Sequence, residues 1–218
     1  MHRNNKSTGA ITVDANVEGV IEDATTEARH VCDANLGLAP EVVIEIDDSI
    51  SFSNEGDDYK PPPLVQSWLH HAIVEITKNA MTSNVQHFSS ILIPQNNNDI
   101  ESIPPNVHVR VGIEMTSPMC KYLTIRVIDR GMGIQNINQA FGFAQSSSPK
   151  RWDRINEQQS YAAARQPLGS LGVGLPLSRL MLRIFGGDLI VTNNRDNKGG
   201  GCTALFRISY DDTHIAKN

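Results

Sequence analysis

The chain has 218 residues, 39% of them hydrophobic, which is enough for one domain with a buried core. Its formal net charge of −5 argues against nucleic acid as a partner, because affinity for nucleic acid rests largely on Lys and Arg facing phosphates. Cys32, Cys120 and Cys202 form no Cys-x-x-Cys pair, which indicates neither a disulfide framework nor a zinc site. No apolar run reaches the roughly 18 residues needed to span a bilayer, so we also expect no membrane partner.

The first half of the chain predicts two helices with a strand between them. Residues 1–13 are polar, lack the apolar core of a signal peptide and are predicted to be disordered. Apolar residues then recur at three- and four-residue spacing over about 14–35, which predicts an amphipathic helix with Asp14 as its N-cap. The β-branched run 42–46 predicts a strand. A second, longer helix is predicted over about 64–88, after a turn-rich break.

The second half predicts mostly strands. Residues 108–114 and 122–128 alternate with a period of two, so we expect an antiparallel pair. Residues of about 135–171 are polar and weakly periodic, which predicts a mobile lid. Glycines separate 188–194 from 202–210, two segments typical of a closing hairpin. This order of elements predicts an α/β (α+β) two-layer sandwich, with a mixed, mostly antiparallel sheet covered by helices.

The longer helix carries a first candidate motif. Its members lie three or four residues apart and are therefore neighbours on one polar flank: His71, Glu75, Lys78 and Asn79. A carboxylate, an amine and an amide gathered there can orient a nucleophile, offset phosphate charge and coordinate a hard cation such as Mg²⁺. For His71, a helix-surface histidine beside His70 is an equally good interpretation.

Asp129 begins a second motif, at the end of a predicted strand. Its carboxylate is well placed to accept a hydrogen bond from the exocyclic amine of adenine, while Gly131 and Gly133 let the backbone pass close to the base. Taken alone, the same residues are an ordinary Asp-Gly turn. The other motifs favour the nucleotide interpretation.

A glycine-rich entry to a helix predicted over about 173–185 is the third motif. Gly169, Gly172 and Gly174 precede first-turn amides that the helix itself leaves unsatisfied, and that end of a helix attracts phosphate. A glycine-rich helix entry without a ligand is the alternative. The segment lacks the Gly-Lys-Ser/Thr ending of common ATPase loops and does not follow a strand, so two rival nucleotide folds are disfavoured.

The three motifs, in this order, resemble the mitochondrial protein kinases of the pyruvate and branched-chain alpha-ketoacid dehydrogenase complexes, which belong to the GHKL superfamily. Residues 71–80 look like that family's version of the first motif. Gly174-Leu-Pro-Leu-Ser-Arg179, followed by Phe185-Gly-Gly-Asp-Leu189, is closer to it than to bacterial histidine kinases, which usually have Gly-Leu-Gly-Leu there. The resemblance implies a Bergerat (GHKL) ATP-binding fold over residues 14–212, with its lid at about 135–171.

The resemblance also implies a role for each site residue, with ATP and Mg²⁺ as cofactors. Asn79 holds the metal, and Glu75 is the general base towards the attacking hydroxyl. Lys78 pairs with phosphate or holds Glu75, and His71 hydrogen-bonds to Glu75. The remaining nucleotide contacts that it implies are Asp129, Gly131, Gly133, Leu168, Gly169, Gly172, Val173, Gly174, Leu175 and Thr203.

A member of this kinase family phosphorylates serine on the alpha subunit of its dehydrogenase complex in the mitochondrial matrix and thereby switches the complex off. Family members begin with a helical domain that docks onto the complex through its lipoyl domains, and a tail helps them to dimerise. Neither that domain nor a transit peptide is evident here, so we expect this chain to be a fragment of such a kinase. Whether it forms a homodimer is left open.

One departure leaves two alternatives open. Thr82 stands where these kinases usually carry an arginine, which removes a positive group near the nucleotide and weakens the expectation of kinase activity more than that of ATP binding. The chain is therefore also compatible with a GHKL ATPase of the chaperone or DNA-repair class. A nucleotide-binding regulatory module without turnover is the third interpretation.

Overall fold

The computed structural model describes residues 7–8, 10–12, 15–47, 50, 62–92, 103–117, 120–143, 172–194 and 200–210. The helices are α1 (Val17–Leu36), α2 (Gln66–Leu92), α3 (Ile137–Ala140) and α4 (Gly174–Ile184). The strands are β1 (Ser7–Thr8), β2 (Ile11–Thr12), β3 (Val42–Ile46), β4 (Val107–Ser117), β5 (Cys120–Ile128), β6 (Asp188–Asn193) and β7 (Cys202–Ser209).

Five strands form the central sheet, in the order β3-β4-β5-β7-β6. β3 pairs with β4 in parallel, and the other three pairings are antiparallel. The predicted antiparallel pairing of β4 with β5 is confirmed, as is the closing hairpin of β6 and β7. β7 lies between β5 and β6, which brings the start of the last strand to the end of the strand that delivers Asp129.

The core lies between the sheet and the helical layer. Residues of β7 alternate in burial, with Ala204, Phe206 and Ile208 buried, and β5 turns Ile125 and Val127 to the same core. In the other layer, α2 packs against both α1 and α4. The two-layer fold predicted from the order of the elements is therefore confirmed. None of the described helices is long and apolar enough to cross a bilayer.

The element boundaries differ from the predicted ones mainly at the termini. β1 and β2 pair within the segment expected to be disordered, and the backbone of Thr12 bonds in both directions with that of Leu64. Asn16 is the N-cap of α1, since its Oδ1 accepts from Gly19 N at 3.1 Å; Asp14 lies outside the described residues. α2 continues to Leu92, four residues beyond the predicted end.

Candidate functional site

Asp129 follows β5 directly, and its side chain is held by two backbone amides. Its Oδ1 accepts hydrogen bonds from Gly131 N at 2.8 Å and from Cys202 N at 3.1 Å. Oδ2 has no hydrogen-bond partner among the described residues. Burial, only partly opposed by the two amides, raises the pKa of the carboxyl above its ordinary value. One oxygen is thus fixed by the fold, while the other is available to a ligand.

Two glycines make the turn around Asp129 possible. A Cβ on Gly131 would lie 1.8 Å from Ser83 Oγ, so the turn lies directly against α2. Gly201, just before β7, has φ +107°, and a Cβ there would lie 2.3 Å from the carbonyl oxygen of Asp129. Because these approaches are to backbone and to a packed helix, a side chain at either position must displace the turn.

Three asparagines that the sequence analysis did not single out bind the backbone of this turn. Asn84 on α2 accepts from Arg130 N at 2.8 Å. Asn193 accepts from Ile134 N and donates to Ile134 O, both at 2.8 Å, and Asn194 donates to the carbonyl of Asp129 at 3.3 Å. Asn84 had one usable signal, because it is a polar residue at a position that the helical periodicity assigns to the core.

The motif on α2 is arranged differently from the polar flank expected. Lys78 donates to Glu75, and both residues are buried, with 4% and 5% of their surface exposed. The reason is that α2 is the central helix, with α1 and α4 packed on either side, so only mutually paired charges are tolerated there. Of the two roles expected for Lys78, the structure shows the contact with Glu75.

His71 and Asn79 lie at the two ends of this pair. His71 Nε2 is buried and has no hydrogen-bond partner among the described residues, and no hydrogen bond joins His71 to Glu75 there. Asn79, the candidate metal ligand, is exposed and lies one turn after Glu75 on α2.

Thr82 directs its hydroxyl back into the helix rather than towards a ligand. Its Oγ1 donates to the carbonyl of Lys78 at 2.7 Å, and the thiol of Cys32 on α1 approaches the same carbonyl at 3.9 Å. The position expected to carry an arginine in the kinases is therefore occupied by an uncharged group with an internal partner.

The N-terminus of α4 is the helix end predicted to bind phosphate. Gly172 has φ +74°, and Val173, the N-cap, makes no side-chain capping bond. Among the described residues, the first-turn amides of Gly174 and Leu175 therefore have no side-chain capping partner. Leu168 and Gly169, two further predicted contacts, lie outside the described residues.

Residues 64–212 match the model of a family described as histidine kinase-, DNA gyrase B-, and HSP90-like ATPase. The chain belongs to this ATPase family. ATP binding, expected from the motifs, and the Bergerat fold, expected from the family resemblance, are thereby confirmed, since this is the GHKL family.

Several curated relatives are named kinases. The chain is 30% identical over 187 residues to pyruvate dehydrogenase (acetyl-transferring) kinase isozyme 1, mitochondrial, of Homo sapiens, an alignment that covers 84% of this chain and 37% of the relative. It is 33% identical to the mitochondrial kinase of the same name from Schizosaccharomyces pombe, over 83% of this chain and 38% of the relative. A probable enzyme of this name from Caenorhabditis elegans is 26% identical, over 95% of this chain and 45% of the relative. The chain thus spans less than half the length of each.

In this GHKL domain, Cys202 rather than Thr203 lies beside Asp129. Thr203 pairs with Ile128, so its side chain points to the sheet face opposite that of Asp129, and its hydroxyl donates to Asn194 at 2.7 Å. Cys202 lies on the face of Asp129, and burial raises the pKa of its thiol to about 11. The one-residue difference arises because neighbouring residues of a strand alternate between faces.

Proposed function

We propose that this GHKL domain is the ATP-binding catalytic domain of a protein serine kinase that phosphorylates the alpha subunit of a mitochondrial alpha-ketoacid dehydrogenase complex and inactivates it. The names of the relatives support the kinase class, the pyruvate dehydrogenase substrate and a mitochondrial location, for which we infer the matrix. The observation that carries the nucleotide part is Oδ2 of Asp129, which has no hydrogen-bond partner among the described residues and lies beside a turn that close glycine contacts fix in place.

Adenine recognition rests on the asymmetry of the Asp129 carboxylate. Oδ1 is occupied by two amides, which leaves Oδ2 to accept the exocyclic amine of adenine. Gly131 and Gly133 hold the turn against its neighbours, because a Cβ would lie 1.8 Å from Ser83 Oγ at Gly131 and 3.1 Å from Asn193 Oδ1 at Gly133. The uncapped start of α4, at Gly174 and Leu175, binds the phosphates through its amides and its partial positive charge.

Glu75 and Asn79 supply the chemistry at the phosphate end. The amide oxygen of Asn79 is the protein ligand for Mg²⁺, an ion that offsets phosphate charge when bound. Glu75 accepts the proton of the attacking serine hydroxyl as general base. Lys78, hydrogen-bonded to Glu75, holds that carboxylate in place.

Thr82 favours a second candidate, a GHKL ATPase or a nucleotide-binding regulatory module without kinase activity. The position provides no cation, and its hydroxyl is already bonded to the carbonyl of Lys78. A domain of this kind would bind ATP through the same Asp129 turn. It would lack the positive charge that the kinase interpretation expects beside the phosphates.

Phosphoryl transfer to purified dehydrogenase complexes separates these functions. Incubated with Mg²⁺ and ATP labelled at the terminal phosphate, the native chain should label the alpha subunit of the pyruvate or the branched-chain complex, and Glu75→Gln should abolish labelling while ATP still binds. ATP hydrolysis without labelling would support the ATPase. Binding without either reaction would support the regulatory module, and either result would contradict kinase activity of this chain.

A further inference from the structure

Asn84 is a buried asparagine that joins three segments of the domain. Its Oδ1 accepts from Arg130 N, and its Nδ2 donates to the carbonyl oxygen of Pro105, both at 2.8 Å. The residue is fully buried on α2, and Pro105 lies just before β4. Both ends of the amide are therefore used, and rotating the amide by half a turn would set donor against donor and acceptor against acceptor.

The bond to Arg130 fixes the peptide that directly follows Asp129. The carbonyl of Asp129 belongs to this same peptide, and its oxygen accepts a hydrogen bond from Asn194 Nδ2. Because the backbone at Asp129 is held on both sides and Oδ1 is held by two amides, the direction of Oδ2 is set by the fold before a ligand arrives.

The neighbouring residue on α2 reinforces this contact. Ser83 lies against Gly131 so closely that a Cβ there would overlap it. Asn79, the proposed metal ligand, lies one turn before Ser83 on the same side of α2. Asn84 and Ser83 thus hold the adenine end of the proposed site at a fixed distance from its phosphate end.

We infer that Asn84 is a positioning residue that determines the preference of this site for adenine over guanine. The inference rests on the proposed nucleotide site. Adenine offers an amine where guanine carries a carbonyl oxygen, so a carboxylate oxygen held in a fixed direction accepts from the first and repels the second. When the peptide after Asp129 is released, Oδ2 can turn away, and the discrimination decreases.

The test is the ratio of GTP to ATP dissociation constants for the native chain and its variants. Asn84→Ala and Asn84→Ser remove the bond to Arg130 N, since the serine hydroxyl is too short to reach it, and the ratio should decrease about tenfold, the effect of one lost orienting hydrogen bond. Asn84→Asp keeps an acceptor for Arg130 N and should retain most of the ratio, even where it lowers stability by losing the donor to Pro105.

Matched measurements separate positioning from general damage. Asn35→Ala, which removes a side-chain bond within α1, should leave the ratio unchanged. Thermal melting of each variant gives its folded fraction, and unfolding alone weakens ATP and GTP equally. If folded Asn84→Ala or Asn84→Ser keeps the native ratio, or if Asn84→Asp loses as much as they do, the inference is overturned while the nucleotide site stands. A native chain that binds neither nucleotide overturns both.

Discussion

The backbone amide of Cys202 donates to Oδ1 of Asp129 at 3.1 Å, although 73 residues separate them in the chain. The bond joins the start of β7 to the turn after β5. It exists only because Gly201 lets the chain pass within contact distance of the carbonyl of Asp129. The geometry of the candidate adenine site therefore depends on closure of the sheet by its last hairpin.

Adjacent glycines test this dependence. Gly201→Ala places a Cβ 2.3 Å from a backbone oxygen at a φ that side chains rarely adopt, so we expect the free energy of unfolding to decrease by about 3 kcal/mol and ATP binding to be lost. At Gly200 a Cβ would have ordinary contacts at 3.5 Å, and Gly200→Ala should change stability by less than about 1 kcal/mol. Urea unfolding measures both; equal losses would contradict the close approach.

Asp129→Asn separates stability from binding. Burial raises the pKa of Asp129, so its ionised form is disfavoured in the folded state, and the neutral amide should be no less stable at pH 7. The amide oxygen can still accept from Gly131 and Cys202. Its NH₂ group then faces the amine of adenine, two donors without an acceptor, and ATP should bind about a hundredfold more weakly. Native ATP affinity in this variant would refute the assigned direction of Oδ2.

The buried pair of Glu75 and Lys78 predicts strong non-additivity. Lys78→Met leaves a buried carboxylate without its partner and should decrease the free energy of unfolding by about 3 kcal/mol. Adding Glu75→Gln should restore part of that loss, because the remaining amide carries no charge to bury. A double-mutant cycle by urea unfolding measures the coupling. Additive losses would show that the two groups act independently.

Asp188 predicts an acid-dependent loss of stability. Burial alone would raise its pKa, but hydrogen bonds from Arg179 and Arg183 outweigh it and hold the pKa well below its usual range. The folded pKa is below the unfolded one, so the ion pairs stabilise the fold above about pH 4 and lose that effect as pH falls towards the folded pKa. Asp188→Asn should therefore be about 1 kcal/mol less stable than the native chain at pH 7.

The difference in the free energy of unfolding between the native chain and Asp188→Asn should decrease between pH 5 and about pH 3. Urea unfolding of both chains at several pH values in this range measures it. A constant difference over the whole range would mean that the bonds of Arg179 and Arg183 to Asp188 contribute little. In that case, the contact of α4 with the start of β6 would depend on apolar packing instead.

Local patterns predicted the elements well, because each depends on periodicity and on turn residues near in sequence. The strand 42–46 and the antiparallel pairs around 108–128 and 188–210 were found with boundaries within a few residues. The pairing of β1 with β2 was missed, since two-residue strands carry no periodicity, and their link to Leu64 is a long-range contact.

The motifs located the candidate site, but not its supporting contacts. Asp129 and its glycines were visible from residue type and spacing alone. The burial of Glu75 with Lys78 depends on the helices packed on both sides of α2. Strand register decides that Cys202, and not the predicted Thr203, lies beside Asp129. Both features result from packing between segments that are distant in the chain, and a single sequence does not reveal such packing.

The central claim is that the Asp129 turn binds adenine while Asn79 serves the metal. Calorimetric titration of ATP into the native chain, Asp129→Asn and Asn79→Ala, each with and without Mg²⁺, tests it most directly. The account predicts that the native chain binds ATP more tightly with Mg²⁺, that Asp129→Asn binds ATP about a hundredfold more weakly under both conditions, and that Asn79→Ala retains binding but loses the effect of Mg²⁺. A folded native chain without ATP binding, or Asp129→Asn with native affinity, would contradict it.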